Sequence, residues 1–388
     1  MKVLGFTGSR ADYYLQRPLF RHLLDDSDID FSIIVSGNII DESNQKTLKD
    51  ILIDGMPISY KLPLAKDTYG STHSLQIAHL IEGIEPIIQS VNPDVVIVYA
   101  DRFESFAFAL SAFHNEIIVY HIEAGDITEG GTYDDCIRHC ITKISHMQAT
   151  STANGRKVVS RLGEESWRSK HIGLLSSECL NDLSIDECIM ISESLNLSIG
   201  LPLILLTMHP IPSDIDLTSH EIEEVLIGIK AVSELISIDI IITAPNHDIG
   251  NNIIREEILK YSHLIHRCQY IESLGGERYH ALLSLADIKP VIVCGNSSSI
   301  IKEAPFYGAH GLNIGKRQLG RESASTQIDI PADRDIIESQ IANLSSTKCK
   351  IGRNPYFKEN PSLCAFEFLI DTMSSRTKAE LLSKRWAN

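Results

Sequence analysis

The sequence contains no apolar run near the roughly 20 residues that a membrane-spanning helix needs. Its first residues, "MKVLGFTGSRAD", reach charge too soon for a secretion signal. These two absences predict a cytoplasmic protein with no membrane partner. No CxxC pair occurs, and the eight cysteines, at 136, 140, 179, 188, 268, 294, 349 and 364, are scattered. They read as reduced thiols rather than a disulfide framework. Cys136 and Cys140 lie one helical turn apart, but two further close ligands are missing, so no metal is expected. Basic residues are scarce: 35 Lys and Arg against 51 Asp and Glu leave a formal charge of −16. That balance excludes nucleic acid and anionic membranes as nonspecific partners. It leaves room for an anionic small ligand, because a few arginines and helix N-termini create a local positive field. Aromatic residues are few, at 6%, and no short repeat or low-complexity tract appears, while apolar residues reach 43%. The composition is that of a globular chain, not a fibrous or disordered one.

A length of 388 residues exceeds the usual single domain and predicts two of roughly 150 to 200 residues each. Short β-branched runs recur, separated by longer amphipathic stretches: "VLGF" (3–6), "FSIIVSG" (31–37), "VVIVYA" (95–100), "IIVYHI" (117–122) and "MQATST" (147–152). A second series follows: "LILLTMH" (203–209), "IDIIITAP" (238–245), "VIVCG" (291–295) and "GLNIG" (311–315). Runs that are apolar throughout suit strands buried on both faces of a parallel sheet. Segments such as "LQRPLFRHLLDD" and "ESFAFALSAFHN" suit the crossover helices. The prediction is two doubly wound α/β domains, with a junction near "HIGLLSSECLNDLS" (171–184).

Ligands of such sheets sit beyond the C-terminal strand ends, so chemistry-bearing residues should follow these runs. After the first run, "TGSRADYY" offers Gly8 for a tight turn and Arg10 as a fixed cation, with a helix expected from near Gln16; a plain turn with a solvated Arg looks similar. "YADRFES" puts Asp101 and Arg102 at the end of an apolar strand, where burial favours a raised carboxyl pKa, although Asp there is also a common N-cap. In "HIEAGDITEGGTYDDCIRH" (121–139), Glu123 follows the strand directly and Asp134 opens a helix. Arg138, four residues on, can hold Asp134 ionised, or the two form only a surface pair. Three carboxylates, Asp101, Glu123 and Asp134, thus fall at strand ends of one sheet, which suits moving protons better than holding an anion. In the second half, "TMHPIPSD" places His209 at a strand end as an acid or phosphate donor. "VIVCGNSSSIIKEA" offers Asn296, Ser297 and Ser298 at a helix start, with Glu303 inside that helix for a ribose diol; N-capping and the helix dipole explain the same residues more plainly. "GLNIGKRQLGRE" brings Lys316, Arg317 and Arg321 after a further strand, suited to a diphosphate or to solvent.

Read together, in this order and spacing, "TGSRADY", "DRFE", "HIEAGD", "YDDCIRHCITKISH", "MHP", "GNSSS", "GKRQLGRE" and "NPYF" resemble the hydrolysing UDP-N-acetylglucosamine 2-epimerases over nearly the whole chain. The resemblance implies two Rossmann-like domains of the glycosyltransferase B type with the nucleotide sugar in the interdomain cleft: residues 1–172, carrying the acids, and 173–364, binding UDP. A C-terminal helix of about 365–388 would return to the first domain. It implies removal of the C2 proton and loss of UDP from C1, giving a 2-acetamidoglucal, then hydration with inversion at C2. That scheme requires no cofactor and no metal. Asp101, Glu123 and Asp134 match the family's catalytic carboxylates and His209 its active-site histidine. Arg10, Arg102, Ser298 and Arg317 match positions associated with UDP, and Glu303 the carboxylate that holds the ribose. Arg138 and Asp126 are expected in support. Departures are informative. Many relatives have Gly where this chain has Ala100. Others carry "HIHGGE", so Asp126 competes with Glu123 for the catalytic assignment. The loop "ITEGGT" is longer than in several relatives, and Ile300 stands where Gly often follows the serines. The partners implied are a UDP-sugar and further copies of the chain in a homodimer or homotetramer. A 2,4-diacetamido-2,4,6-trideoxy sugar nucleotide and a glycosyltransferase of the same fold are the competing readings.

Overall fold

The computed structural model of the chain describes residues 1–387 except 41–44, 65–71, 129–132, 180–182, 212–213 and 247–249; the side chains of residues 10, 11, 38, 45, 46, 133 and 179 also lie outside the description. The β-branched runs form two parallel sheets. The first holds β1 (Lys2–Thr7), β2 (Asp30–Ser36), β3 (Ile58–Leu62), β4 (Val95–Tyr99), β5 (Ile118–Ile122), β6 (Met147–Thr150) and β7 (Ser169–His171), in the order β3-β2-β1-β4-β5-β6-β7. The second holds β8 (Leu203–Thr207), β9 (Asp239–Thr243), β10 (Cys268–Ile271), β11 (Val291–Gly295), β12 (His310–Ile314) and β13 (Gln327–Ile330), in the order β10-β9-β8-β11-β12-β13. Contacts divide the chain into one unit of Met1–Ile127, Tyr133–Cys179 and Tyr356–Asn388, and another of Thr128–Thr132 and Leu180–Pro355.

The apolar character of the central strands follows from their period of two. In β4, Val95, Ile97 and Tyr99 enter one core with Leu19, Phe20, Phe368 and Leu369, from the helices Arg10–Asp25 and Pro361–Ser375. Val96 and Val98 enter the other, against Leu80, Ile84 and Phe108 of the helices His73–Val91 and Phe103–His114. In β8, Ile204 and Leu206 pack with Ile222 and Val225, while Leu203 and Leu205 face Leu282 and Leu283. At about 1.5–3 kcal/mol for each fully buried aliphatic side chain, both faces must be covered for such strands to be stable. Each sheet reverses its strand order once, between β1 and β4 in the first and between β8 and β11 in the second. Open α/β sheets bind ligands at the C-terminal strand ends beside that reversal.

In the first unit the C-terminal segment docks through named polar contacts. The fully buried Arg168 donates to the carbonyls of Leu381 (2.8 Å) and Ser383 (3.0 Å), closing the end of the helix Lys378–Leu382. It also donates to the carbonyl of His146, whose Nδ1 accepts the Val119 N–H at 3.0 Å. Burial, reinforced by Lys384 and Arg168, lowers the His146 pKa from 6.5 to about 3. The unfolded chain therefore binds a proton in this window that the folded one refuses. The contribution of His146 is complete above pH 6.5 and falls by about 1.4 kcal/mol per pH unit as the pH drops toward 3. His146→Gln should reduce the pH slope of urea-unfolding stability between pH 6 and 4 by roughly one proton; an unchanged slope would contradict this.

Candidate functional site

β4 and β5 end in register, Tyr99 beside Ile122, and the chain turns sharply after each. Ala100 (φ 54°) and Glu123 (φ 62°) both take the left-handed conformation. For a residue with a Cβ this costs roughly 1–2 kcal/mol, which accounts for glycine being suited to position 100. Ala100→Gly should change stability by less than about 1 kcal/mol, strain relief offsetting chain entropy. Ala100→Val, branched at a positive φ, should cost about 2 kcal/mol or more; equal denaturation midpoints for the two variants would count against the turn as described.

The acids of the first unit sit around these turns. Glu123 is buried, and its Oε1 accepts the Tyr99 hydroxyl at 2.6 Å. The helix Phe103–His114 uses Arg102 as its N-cap residue, so Asp101 is not the cap weighed in the sequence; its carboxylate pairs with the guanidinium of Arg138. Arg138 is buried and also donates to the Asp126 carbonyl (3.0 Å) and the Asp135 carboxylate (3.4 Å). Burial alone would lower its pKa, but Asp101, Asp126, Glu123 and Asp135 together raise it, so the cation persists. Asp134 is exposed in the first turn of the helix Tyr133–Ile144, and Arg138 pairs with Asp101 and Asp135. Asp126 is buried beside Glu123 in sequence. Glu129 and most of the loop "ITEGGT" lie outside the described residues.

The end of β1 brings a carboxylate that the sequence reading passed over. The helix begins at Arg10, not near Gln16, because Ser9 caps it by accepting the Asp12 N–H at 3.2 Å; the S-x-x-D spacing was the available signal. Gln16 instead lies inside the helix, donating to the Phe6 carbonyl. Burial raises the Asp12 pKa to about 6, opposed by Arg102 and reinforced by Glu104. Arg102 holds Glu104 through Nε (3.1 Å) and Nη2 (2.8 Å), with Asp12 3.7 Å away. The Arg10 side chain lies outside the described residues.

In the second unit the reversal point is bridged by one amide. Fully buried Asn296, just after β11, accepts the His209 N–H through Oδ1 (2.7 Å) and donates from Nδ2 to the His209 carbonyl (2.9 Å), just after β8. Gly295 makes the approach possible. Its φ is 123°, and a Cβ there would stand 2.1 Å from the Thr207 carbonyl oxygen. His209 Nδ1 accepts the Asn246 N–H at 3.1 Å, which leaves the ring hydrogen on Nε2. Burial, then Arg317, lowers the His209 pKa to about 3, so the ring is a neutral donor at neutral pH. Arg317 and Gln318 both donate to the Asn296 carbonyl, at 3.2 and 2.9 Å.

Ser297 is the N-cap and Ser298 the first residue of a helix of five residues, Ser298–Lys302. Glu303 was expected inside this helix; it stands at its C-cap instead, because Pro305, the second residue of the following 3-10 turn Ala304–Tyr307, has no N–H to continue the helix. Ile300, in place of the common Gly, is fully buried in the core beneath the serines. The helix Gly275–Ser284, not singled out in the sequence, supports this end of the sheet: His280 Nε2 lies 3.1 Å from Glu303, and the Tyr279 hydroxyl donates to Ser299 at 2.9 Å. Glu221, also unanticipated, is buried against Gly315 with its pKa raised to about 7 by burial first and Asp214 second, opposed by Lys316.

Two parallel sheets of this strand order, each with polar groups gathered at its reversal, define a two-unit α/β protein of glycosyltransferase B-like fold. The structure of a UDP-GlcNAc 2-epimerase from Neisseria meningitidis bound to UDP-GlcNAc superposes with a TM-score of 0.79 over 97% of this chain and 100% of that one, at 18% identity. The profile of the family described as UDP-N-acetylglucosamine 2-epimerase matches residues 21–369. The Escherichia coli protein named polysialic acid biosynthesis protein P7 is 31% identical, with 97% of this chain and 95% of that one covered. The Legionella pneumophila hydrolysing UDP-N,N'-diacetylbacillosamine 2-epimerase is 29% identical over 87% and 86%. The chain belongs to the UDP-N-acetylglucosamine 2-epimerase family. Among the described residues no helix is long and apolar enough to cross a membrane.

Proposed function

We propose that the protein is a hydrolysing 2-epimerase that converts UDP-N-acetylglucosamine to UDP and N-acetylmannosamine, serving the synthesis of nonulosonic (sialic) acids. The observation that supports this best is the pairing of Asp101 with a buried arginine beside Glu123, at adjoining strand ends next to the sheet reversal. One of Asp101 or Asp134 removes the proton from C2. The C1–O bond to UDP breaks, and the C2 electron pair becomes the double bond of a 2-acetamidoglucal. Water then adds across it, with hydroxyl at C1 and a proton at C2 delivered by Glu123 from the opposite face. His209, as a neutral Nε2–H donor, and the arginines Arg10, Arg102 and Arg317 stabilise the departing diphosphate. Ser297 and Ser298 cradle phosphate oxygens, with the buried Asn296 bracing this strand end through His209 rather than touching the ligand, and Glu303 accepts from the ribose diol. The protein is read as a cytoplasmic homo-oligomer that needs no cofactor.

The relatives named for UDP-N,N'-diacetylbacillosamine favour a second reading, the same elimination and hydration on that 2,4-diacetamido-2,4,6-trideoxy substrate. The two are separated by supplying each sugar nucleotide and identifying the freed sugar by NMR. Turnover of UDP-N-acetylglucosamine to N-acetylmannosamine supports the first; release from the diacetamido substrate alone replaces it with the second.

A further inference from the structure

Asp101 is gripped from two sides. Its carboxylate meets the buried guanidinium of Arg138. The peptide before it is fixed by His121, whose Nε2 lies 2.7 Å from the Ala100 carbonyl oxygen. A carbonyl only accepts, so the ring hydrogen is on Nε2. The carbonyl belongs to a residue at φ 54°, where the chain is under strain and needs an external restraint. The two grips are linked as well. Thr142 Oγ1 lies 3.2 Å from His121 Nδ1 and 2.9 Å from the Arg138 carbonyl oxygen; both are acceptors, so its one hydroxyl hydrogen serves one of them at a time. His121, Ala100, Asp101, Arg138 and Thr142 therefore lie in contact around one point, joining β5, the turn after β4 and the helix Tyr133–Ile144.

His121 is fully buried, and burial lowers its pKa to about 3, so it stays neutral at neutral pH and keeps one tautomer. A ring sealed in this way orients a neighbour; it does not trade protons with a ligand. We propose that His121 is a positioning residue for Asp101, clamping the Ala100–Asp101 turn through Nε2–H, with Thr142 setting the ring beside the helix that carries the arginine holding the Asp101 carboxylate. This rests on the reading of Asp101 as an acid–base group. A histidine inside an otherwise apolar strand, "IIVYHI", is the sequence signal that goes with it.

The test compares full-length His121→Asn, His121→Gln and Thr142→Val with native protein and Asp101→Asn, measuring UDP release from UDP-N-acetylglucosamine and from UDP-N,N'-diacetylbacillosamine. The Gln amide nitrogen reaches the place of Nε2, whereas the Asn nitrogen reaches only that of Nδ1. A misplacement of about 1 Å can cost on the order of 10²-fold, so His121→Asn should lower kcat by about that factor with KM within about threefold. Gln should restore kcat to within roughly tenfold of native, even where its melting temperature falls as far as that of the Asn variant. Thr142→Val should lower kcat several-fold. Native turnover in His121→Asn, or equal losses in Asn and Gln that track melting temperature, would overturn the proposal. Should Asp101→Asn itself turn over normally, the functional reading fails separately. The crystal structure of His121→Asn then decides the positioning claim: a displaced Asp101 upholds it, and an unmoved Asp101–Arg138 pair overturns it.

Discussion

Replacing Asp101 with Asn is expected to lower turnover by roughly 10²- to 10⁴-fold, the scale of positioned acid or base assistance, while leaving UDP affinity within about threefold. The substitution keeps the shape of the side chain and an oxygen for Arg138, so neither packing nor the turn at Ala100 is disturbed. What it removes is a proton acceptor. Arg138 matters for the geometry: the buried guanidinium pairs with the Asp101 carboxylate and holds it at the strand end. UDP affinity is spared because Ser298, Arg317 and Glu303, assigned to the diphosphate and ribose, belong to the second unit, and the substitution leaves the cations Arg10 and Arg102 of the first unit in place. Turnover near native, measured by UDP release with UDP binding followed in parallel, would remove Asp101 from the chemistry.

Gly295→Ala should be among the most damaging single changes in the second unit. At φ 123° an alanine is strained wherever it stands, and here its Cβ would also meet the Thr207 carbonyl oxygen at 2.1 Å and its carbon at 2.8 Å, both main-chain atoms of a central strand. Relief requires β8 and β11 to separate at the point where Asn296 holds His209 by two hydrogen bonds. A cost of about 3 kcal/mol or more is expected, equivalent to a fall in melting temperature of roughly 6–12 °C for a unit of this size. The folded fraction should also bind UDP more weakly. Gly200→Ala is the control, since no atom lies within 4 Å of its would-be Cβ; it should shift stability by no more than about 0.5 kcal/mol. Equal midpoints for the two variants would mean that the β8–β11 junction is not as close as described.

The strands legible in the sequence were the central ones, and physics explains which were not. The strands that escaped the reading, β3, β7, β10 and β13, are the edges of the two sheets. Edge strands need an apolar face on one side only and leave main-chain groups to water, so they lose the unbroken apolar run that marks a central strand. "ISYKL" in β3 and "QIDI" in β13 show this directly: Ser59 and Lys61 of β3 are exposed with Tyr60 half-buried between them, and Asp329 of β13 faces water.

 

At the candidate site, the residue types and their strand-end positions were legible, but the partners were not. Arg138 was read against Asp134 because helical spacing is visible in a sequence, whereas its contact with Asp101 joins residues 37 apart. Glu303 was read as helical because the pattern runs on, until Pro305 ends it. Asn296 was read as a phosphate ligand. That its side chain bridges two strand ends depends on the pairing of β8 with β11, which no local pattern reveals.

The most direct test of the central claim, that the acids of the first sheet move hydrogen at C2 of a UDP-sugar, is to run the reaction in D2O and examine the freed sugar by NMR and mass spectrometry. The account predicts one deuterium at C2 of a sugar with inverted configuration, with one free UDP for each sugar released. Free UDP accompanied by a sugar that keeps its original hydrogen and configuration at C2 would contradict it.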